Sequence, residues 1–302
     1  MDLSALGNCL ISPSCVVTQT TSGLIIGLLL FLVAAGVSLI FGVLKVVNFA
    51  HGAFYMLGAY FAYTAYQVTG SYFVAVLAGG IGVAIFGLFF ERLLIARVYG
   101  APVLMQILVC YAMILILDDV VKMVWGADFL SFGMPPAFQT LPIVFAGGVI
   151  PVFYMFLIVV TLVIAALLGL LITKTRYGKI IRAAAANPSM VSALGINTGV
   201  VYASVFVLGG LLAGLAGGLA APVRSLTAGM GTSIIIESFI VTVIGGMGSL
   251  LGGAIAGMLV GIVVSLTALW MPEMSTISMF ALMALVLLVR PYGLFGRGVL
   301  VK

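Results

Sequence analysis

The amino-acid sequence predicts an all-α, polytopic integral membrane protein, and three observations carry that prediction. The 302 residues are 64% hydrophobic and 6% charged, with a mean hydropathy of +1.40, whereas a soluble domain is about 25% charged. The apolar residues fall in long runs, and a helix needs about 20 of them to cross a bilayer. Those runs do not alternate apolar with polar residues, as the strands of a membrane barrel do. In lipid every backbone donor and acceptor must be satisfied inside the protein, so unbroken runs of this length fold as helices.

The elements follow in order. Residues 1–20 carry Asp2 and no basic leader, which does not fit a signal peptide; they are read as an extracytoplasmic segment. Cys9 and Cys15 could pair there if that end faces an oxidising compartment, a question the sequence leaves open. Apolar segments then run over 21–44, 46–66, 72–95, 101–125, 149–173, 198–222, 233–246, 250–270 and 276–290. The seventh and ninth are short, so the reading is eight or nine spans, with a re-entrant or tilted piece as the alternative. Together, 21–290 form one transmembrane domain, and 291–302 a cytoplasmic tail. Placing the N-terminus outside puts Lys45, Arg92, Arg97, Lys174, Arg176, Lys179, Arg182, Arg290, Arg297 and Lys302 on the inner side. Only Lys122 and Arg224 then lie outside, ten basic residues against two. This bias predicts N-out and C-in.

Within the second segment, "FAHG" and its surroundings place Lys45, Asn48 and the chain's single histidine, His51, among apolar residues. Their spacing of three puts them on one face if the helix is continuous. Ionisable groups inside a membrane are costly and tend to line a pathway or find a partner; the alternative is that His51 bonds a backbone carbonyl and braces a bend. With no second histidine and no acidic cluster beside it, no metal site is expected. Along the fourth segment Asp118 and Lys122 stand at i, i+4 and are expected to pair, with Asp119 beside them; Cys110 is expected to be inert. The connection 126–148 holds three prolines and several glycines and is expected to be irregular.

The most polar stretch is 174–197, "KTRYGKIIRAAAANPSMVSALGIN". Asn187 reads as an N-cap, Pro188 as a first-turn residue and Gly195 as a stop, which predicts a short helix over 188–194 on the inner side. Met190, Ala193 and Leu194 would offer an apolar knob to a soluble partner, the alternative being an amphipathic surface helix. Glycines at 210, 214 and 218, and again at 253, 257 and 261, recur every four residues and suit close helix packing. Glu237 lies inside a span and calls for a partner, with Lys45 or a backbone group the candidates, or for water near an outer mouth. "GGMGSLLGG", 245–253, is too rich in glycine for a plain helix. A break there, at Gly245, Gly246 and Gly248, suits a substrate route, as does the Asn48–His51 face, because discontinuous helices supply backbone groups along such routes.

Several classes are excluded. There is no phosphate-cradling G-x-x-x-x-G-K-[ST]. No nucleophile–base pair can be assembled around one histidine, so no enzyme activity and no cofactor are expected. The net charge of +5 comes from 12 basic residues scattered in short loops, which is not a nucleic-acid surface.

Taken together, "GVSLIFGVLKVVNFAHGAFYMLGAY", "GKIIRAAAANPSMVSALGIN", "GGLLAGLAGGLAAP", "ESFIVTVIGGMGSLLGGAIAG" and "VRPYGLFG" resemble, in order, the permeases of branched-chain amino-acid ABC importers, H-type subunit. The resemblance covers residues 20–298. It implies a bacterial inner-membrane subunit that pairs with an M-type permease or with itself. Two cytoplasmic ATPases and a periplasmic substrate-binding protein would complete the system. It maps Arg182 to Gly195 onto the family's coupling helix, so Arg182, Ala183, Ala184, Asn187, Pro188, Met190, Leu194 and Gly195 are the expected ATPase contacts. Relatives often carry an acidic residue near the position of Ala186, where this chain has an alanine run. Branched-chain or related amino acids are the implied solute; urea, short amides and small organic acids are the alternatives. A stand-alone secondary transporter, driven by an ion gradient through Glu237 or Asp118, is the rival from another class.

Overall fold

The structure, a computed structural model, describes Gly7, Cys9 and residues 11–296; Asp2, Arg297 and Lys302 lie outside them. Helices follow the apolar segments: α1 Pro13–Leu44, α2 His51–Thr69, α3 Tyr72–Phe90, α4 Val103–Trp125, α5 Val152–Lys174, α6 Arg176–Ala186, α7 Pro188–Ala193, α8 Thr198–Ala220, α9 Met230–Gly245, α10 Leu250–Trp270 and α11 Ser275–Val289. Among the described residues, seven helical stretches are long and apolar enough to cross a membrane. They are α1, α3 extended to Val98, α4, α5, α8, α10, and α11 with the turn before it. The 16-residue α9 is a shorter apolar helix. This is a polytopic membrane protein.

Three local departures from the sequence reading have physical causes. The first helix starts at Pro13, not at residue 21. Proline is tolerated in a first turn, and the Thr18 and Thr21 hydroxyls donate back to the carbonyls of Ser14 and Val17 at 2.9 and 2.8 Å, so polar residues enter the helix without stranded groups. Before it, a disulfide joins Cys9 to Cys15. The irregular connection contains a small antiparallel hairpin, β1 Ile143–Phe145 with β2 Gly148–Ile150, in the register Ile143 to Ile150. Its two-residue turn, Ala146–Gly147, has both φ angles positive, the geometry that matches strand twist. Past Phe90, α3 continues through a π turn, Glu91–Ile95, to Val98.

The chain divides into two compact units. One comprises Leu32–Gly133 and Ala165–Ser238. At its centre α8 lies against α2 and α3 with almost no side chain between the backbones. A Cβ placed on Gly214 would sit 2.5 Å from the Gly79 carbonyl oxygen, and one on Gly79 would sit 2.5 Å from that of Gly58. Gly210 and Gly218 approach Val83 and Val76 in the same way. Phe54 stands edge-on to Phe86, Phe90 and Phe206 at 5.6–5.9 Å, an arrangement favoured by ring electrostatics. The Tyr72 hydroxyl donates to the Leu219 carbonyl at 3.1 Å. A smaller core of Leu39, Val43, Ile181, Ala184, Val191, Val201 and Val205 seats α6 and α7 against α1 and α8.

The other unit holds residues 11–31, 134–164 and 239–296 of the described chain. Its glycines do the same service between α1 and α10: Gly23 meets Gly261 and Ile262, Gly27 meets Gly257, and Gly253 faces Phe31. Near that seam Ser265 donates to the Gln19 side chain at 2.7 Å. Between α9 and α10 the chain turns over Gly246 and Gly248, with φ of 96° and 88°, and the Ser249 hydroxyl accepts from the Gly252 N–H at 3.0 Å to cap α10. The C-terminal "RPYGLFG" folds back on this turn. Leu294 and Phe295 donate their backbone N–H groups to the carbonyls of Ile244 and Gly245 at 2.8 and 3.1 Å, satisfying acceptors that a helix end leaves open.

Candidate functional site

The FAHG stretch is a true interruption. Helix α1 ends at Leu44, Lys45 takes a left-handed φ of 58°, and the helix resumes only at His51. Lys45, Asn48 and His51 therefore do not share a helical face. The cause is Asn48: its side-chain oxygen accepts from the Ala50 N–H at 3.1 Å, a local turn that competes with helix continuation. Lys45 points to the surface, while Asn48 and His51 are buried. The His51 ring sits over Gly36, where a Cβ would lie 2.5 Å from Nε2, and 5.9 Å from the Phe54 ring. Neither His51 nitrogen nor the Asn48 side-chain nitrogen closes a hydrogen bond of good geometry, and the backbone group nearest the His51 ring is that of Val33. The buried Cys110 thiol lies 3.6 Å from the Asn48 side-chain oxygen. This is a knot of polar atoms inside apolar helices, at the one place where α1 and α2 are unwound.

Glu237 pairs with neither Lys45 nor a backbone group. Its partner is Arg224, at 3.5 Å. The sequence reading placed Arg224 among the outer-side cations but gave it no partner. A turn closed by the Arg224 and Val223 N–H groups on the Ala220 carbonyl at 2.9 Å carries it off the end of α8. Leu226 then pairs with Leu130 in an isolated bridge that holds the segment. Both charged side chains keep partial exposure, 37% for Arg224 and 21% for Glu237, and the buried Tyr55 of α2 lies within electrostatic reach of both. Asp118 and Lys122 do not pair either. Lys122 bonds Asp119 at 3.0 Å, at i, i+3, because Asp118 turns inward to the Gly229 backbone and the neighbourhood of Tyr60.

The polar elbow is two capped helices rather than a loop with one. The Thr175 hydroxyl accepts from the Gly178 N–H at 3.0 Å to start α6, and Arg182 donates to the Ile172 carbonyl. The Tyr177 hydroxyl meets that of Ser204 on α8 at 2.7 Å. Burial is what pushes the Tyr177 phenol above its ordinary pKa, partly offset by that bond. Asn187 caps α7 by accepting from the Met190 N–H at 3.1 Å, Pro188 occupies the first turn, and Gly195 closes the helix with φ of 80°. Ala184 and Val191 face the core, whereas Met190 and Leu194 are 64% and 76% exposed. Arg182, Ala183, Asn187, Pro188 and Gly195 are exposed as well.

One buried group escaped the sequence reading. Glu91 is 1% exposed, at the start of the π turn. The Tyr99 hydroxyl donates to it at 2.5 Å, and Arg92 lies 3.8 Å from its other oxygen. Burial first, and then this hydrogen bond, hold the Tyr99 phenol far above its ordinary pKa. Nothing in the sequence marks a π turn, which is why the burial of Glu91 was not legible there. Among the described residues no three His, Cys, Asp or Glu side chains gather as a metal site would need.

Residues 19–287 match the family described as the permease component of branched-chain amino acid transport systems. Among curated proteins, the chain is 31% identical over 301 residues to LivH of Salmonella typhimurium, covering 92% of this chain and 95% of that one. It is 30% identical to LivH of Escherichia coli K12 with the same coverage. Against BraD of Pseudomonas aeruginosa it is 29% identical over 292 residues, again covering 92% and 95%. All three are described as high-affinity branched-chain amino acid transport system permease proteins. No solved structure matches the chain.

Proposed function

The chain belongs to the branched-chain amino acid transport permease family, and from that premise we propose that it is the H-type permease subunit of an ABC importer for branched-chain or related amino acids. The family is one of transport components rather than catalysts. In this reading the protein sits in a bacterial inner membrane, N-out and C-in. It pairs with an M-type permease or a second copy of itself, above two ATPases and below a periplasmic binding protein. The Cys9–Cys15 disulfide supports an N-terminus in an oxidising compartment. Helix α2, 19 residues long, and the 16-residue α9 bring the crossings to eight or nine.

The observation that carries the proposal is the elbow. Helix α7 is anchored from below by Val191 and capped by Asn187, yet it turns two large apolar side chains, Met190 and Leu194, into the open. A surface helix of six residues has no use for such exposure unless something covers it, and a groove on an ATPase fits that need. ATP-driven closure of the ATPases would move α6 and α7 as one body, because both share the Ile181–Val191 core, and α8 follows through Tyr177–Ser204. Asn48, His51 and Glu237 lie along the proposed solute route, and the turn over Gly245, Gly246 and Gly248 acts as the hinge between α9 and α10. Alternating access then needs no chemistry from this chain.

The test is uptake of labelled leucine and labelled urea into proteoliposomes carrying the complete complex, with binding protein and ATP. Leucine uptake that needs both is the expected result. Accumulation by this protein alone under a proton or sodium gradient would overturn the proposal, and ATP-dependent uptake of urea in preference to leucine would move the solute. Replacing His51 with alanine is expected to lower uptake severalfold while the ATPases still co-purify, since the ring braces the unwound joint and not the elbow. Unchanged uptake in that variant would reduce His51 to a space-filler over Gly36.

A further inference from the structure

In a chain with seven carboxylates, one of them stands inside α9 between Ile236 and Ser238, facing an arginine delivered from a different element. The pair is loose. A charge-assisted N–H···O contact closes to about 2.7–2.9 Å when nothing else competes, whereas Arg224 and Glu237 stand at 3.5 Å with 37% and 21% of their side chains exposed. Such a pair adds little to stability, because burying two charges costs about what their attraction returns. An ionisable residue inside an apolar helix, as Glu237 is in α9, is by default a candidate for a substrate pathway.

We propose that Arg224 and Glu237 form a transit site for the zwitterionic head of an α-amino acid, Arg224 taking the carboxylate and Glu237 the ammonium. The inference rests on the amino-acid reading of the solute given above. Its physical basis is charge balance. A zwitterion slipped between the two side chains replaces one loose ion pair by two charge-assisted contacts, and the net charge of the site is zero before and after. An anion or a cation of the same size would leave one protein charge uncompensated in a low-dielectric setting, which costs heavily. The guanidinium fork matches a carboxylate in two-point fashion, which a lysine does not, and a carboxylate accepts readily from an ammonium. Tyr55 lies within electrostatic reach of both charges and brings a hydroxyl that can donate or accept. The site is thereby selective for the head group shared by all α-amino acids and tolerant of the side chain, the complement of what a binding protein selects.

The test uses the complete complex in proteoliposomes and reads leucine imported per ATP hydrolysed, with co-purification of the ATPases as the measure of assembly. The double variant Arg224→Gln with Glu237→Gln is expected to lose about tenfold or more in that ratio, since losing even one of its two charged hydrogen bonds to the solute costs that much, with assembly unchanged. A purely structural ion pair predicts the reverse pattern. Each single variant would be damaged by its remaining lone charge, and the neutral double would recover; recovery to within about twofold of wild type overturns the proposal. Should the double variant fail to assemble, Arg224→Lys decides, since it keeps the charge but not the fork: a ratio reduced severalfold supports the site, an unchanged ratio overturns it. If the wild-type complex imports no leucine at all, the solute reading falls, and this site with it; if wild type and double variant import equally, only the site falls.

Discussion

Replacing Gly214 with valine is expected to cost about 3 kcal/mol and to lower the melting temperature by about 5 °C or more. The new Cβ alone would lie 2.5 Å from the Gly79 carbonyl oxygen, 2.9 Å from the Val83 Cβ and 3.0 Å from the Gly80 Cα. Two of those three neighbours are main chain in the middle of α3, so neither can rotate away, and α8 must separate from α3 along its length. Overpacking of a flexible core costs about 1–3 kcal/mol; a clash against rigid backbone belongs at the top of that range. The loss is large against a total stability of about 5–15 kcal/mol. It is felt more in lipid, where van der Waals packing replaces the hydrophobic effect as the force between helices. Thermal unfolding of the detergent-solubilised protein, followed by loss of the monodisperse chromatographic peak, measures it. Gly169→Ala on α5 is the control. Nothing lies within 4 Å of that Cβ, and alanine is the better helix former, so the control should melt no lower than wild type. Equal melting of Gly214→Val and wild type would mean that α8 and α3 are not held by close contact.

The second large effect is functional and leaves the fold alone. Changing Met190 and Leu194 together to aspartate is expected to abolish recovery of the ATPases with the permease, by about tenfold or more, and to abolish ATP-driven uptake with it. Both side chains are mostly in the open, at 64% and 76%, so the charges meet water in the isolated protein, where such surface changes shift stability by less than about 0.5 kcal/mol. In a complex each charge would be driven into an apolar groove, at a cost of several kcal/mol. The neighbouring Val191→Asp is a different experiment. Val191 is 3% exposed within the core shared by α6, α7 and α8, so that variant should unfold the elbow and lower the melting temperature. Retention of the ATPases by the double aspartate variant would show that the two exposed side chains are not the docking surface.

The contrast between these two neighbours also shows what a sequence can reveal. Asn187, Pro188 and Gly195 encode the limits of α7 through local chemistry, and local chemistry is readable: the structure places the helix at Pro188–Ala193 with the Asn187 cap in place. Apolar runs are readable for the same reason, and each is occupied by a helix. Spacing rules, by contrast, hold only where the helix continues. The spacing of Lys45, Asn48 and His51 aligns them only on a continuous helix, and the Asn48 turn removes that premise. Asp118 and Lys122 satisfied an i, i+4 rule, yet the inward pull of the Gly229 backbone on Asp118 left Lys122 to Asp119. Partners supplied by distant elements had no local signal at all. Arg224 looks like a loop cation until the turn after Ala220 delivers it to Glu237, and Glu91 looks like an interface charge until the π turn buries it against Tyr99.

The cap on α9 has a bearing on how the protein is made. The carbonyls of Ile244 and Gly245 wait for N–H groups carried by Leu294 and Phe295, which leave the ribosome only after α10 and α11. Until then that helix end must be solvated by water or by the insertion machinery, so α9 cannot reach its final state until α10 and α11 have been made. A nonsense codon placed after Arg290 would spare every apolar helix among the described residues and yet leave this joint open, a lesion that cellular quality control would meet with the helices already made.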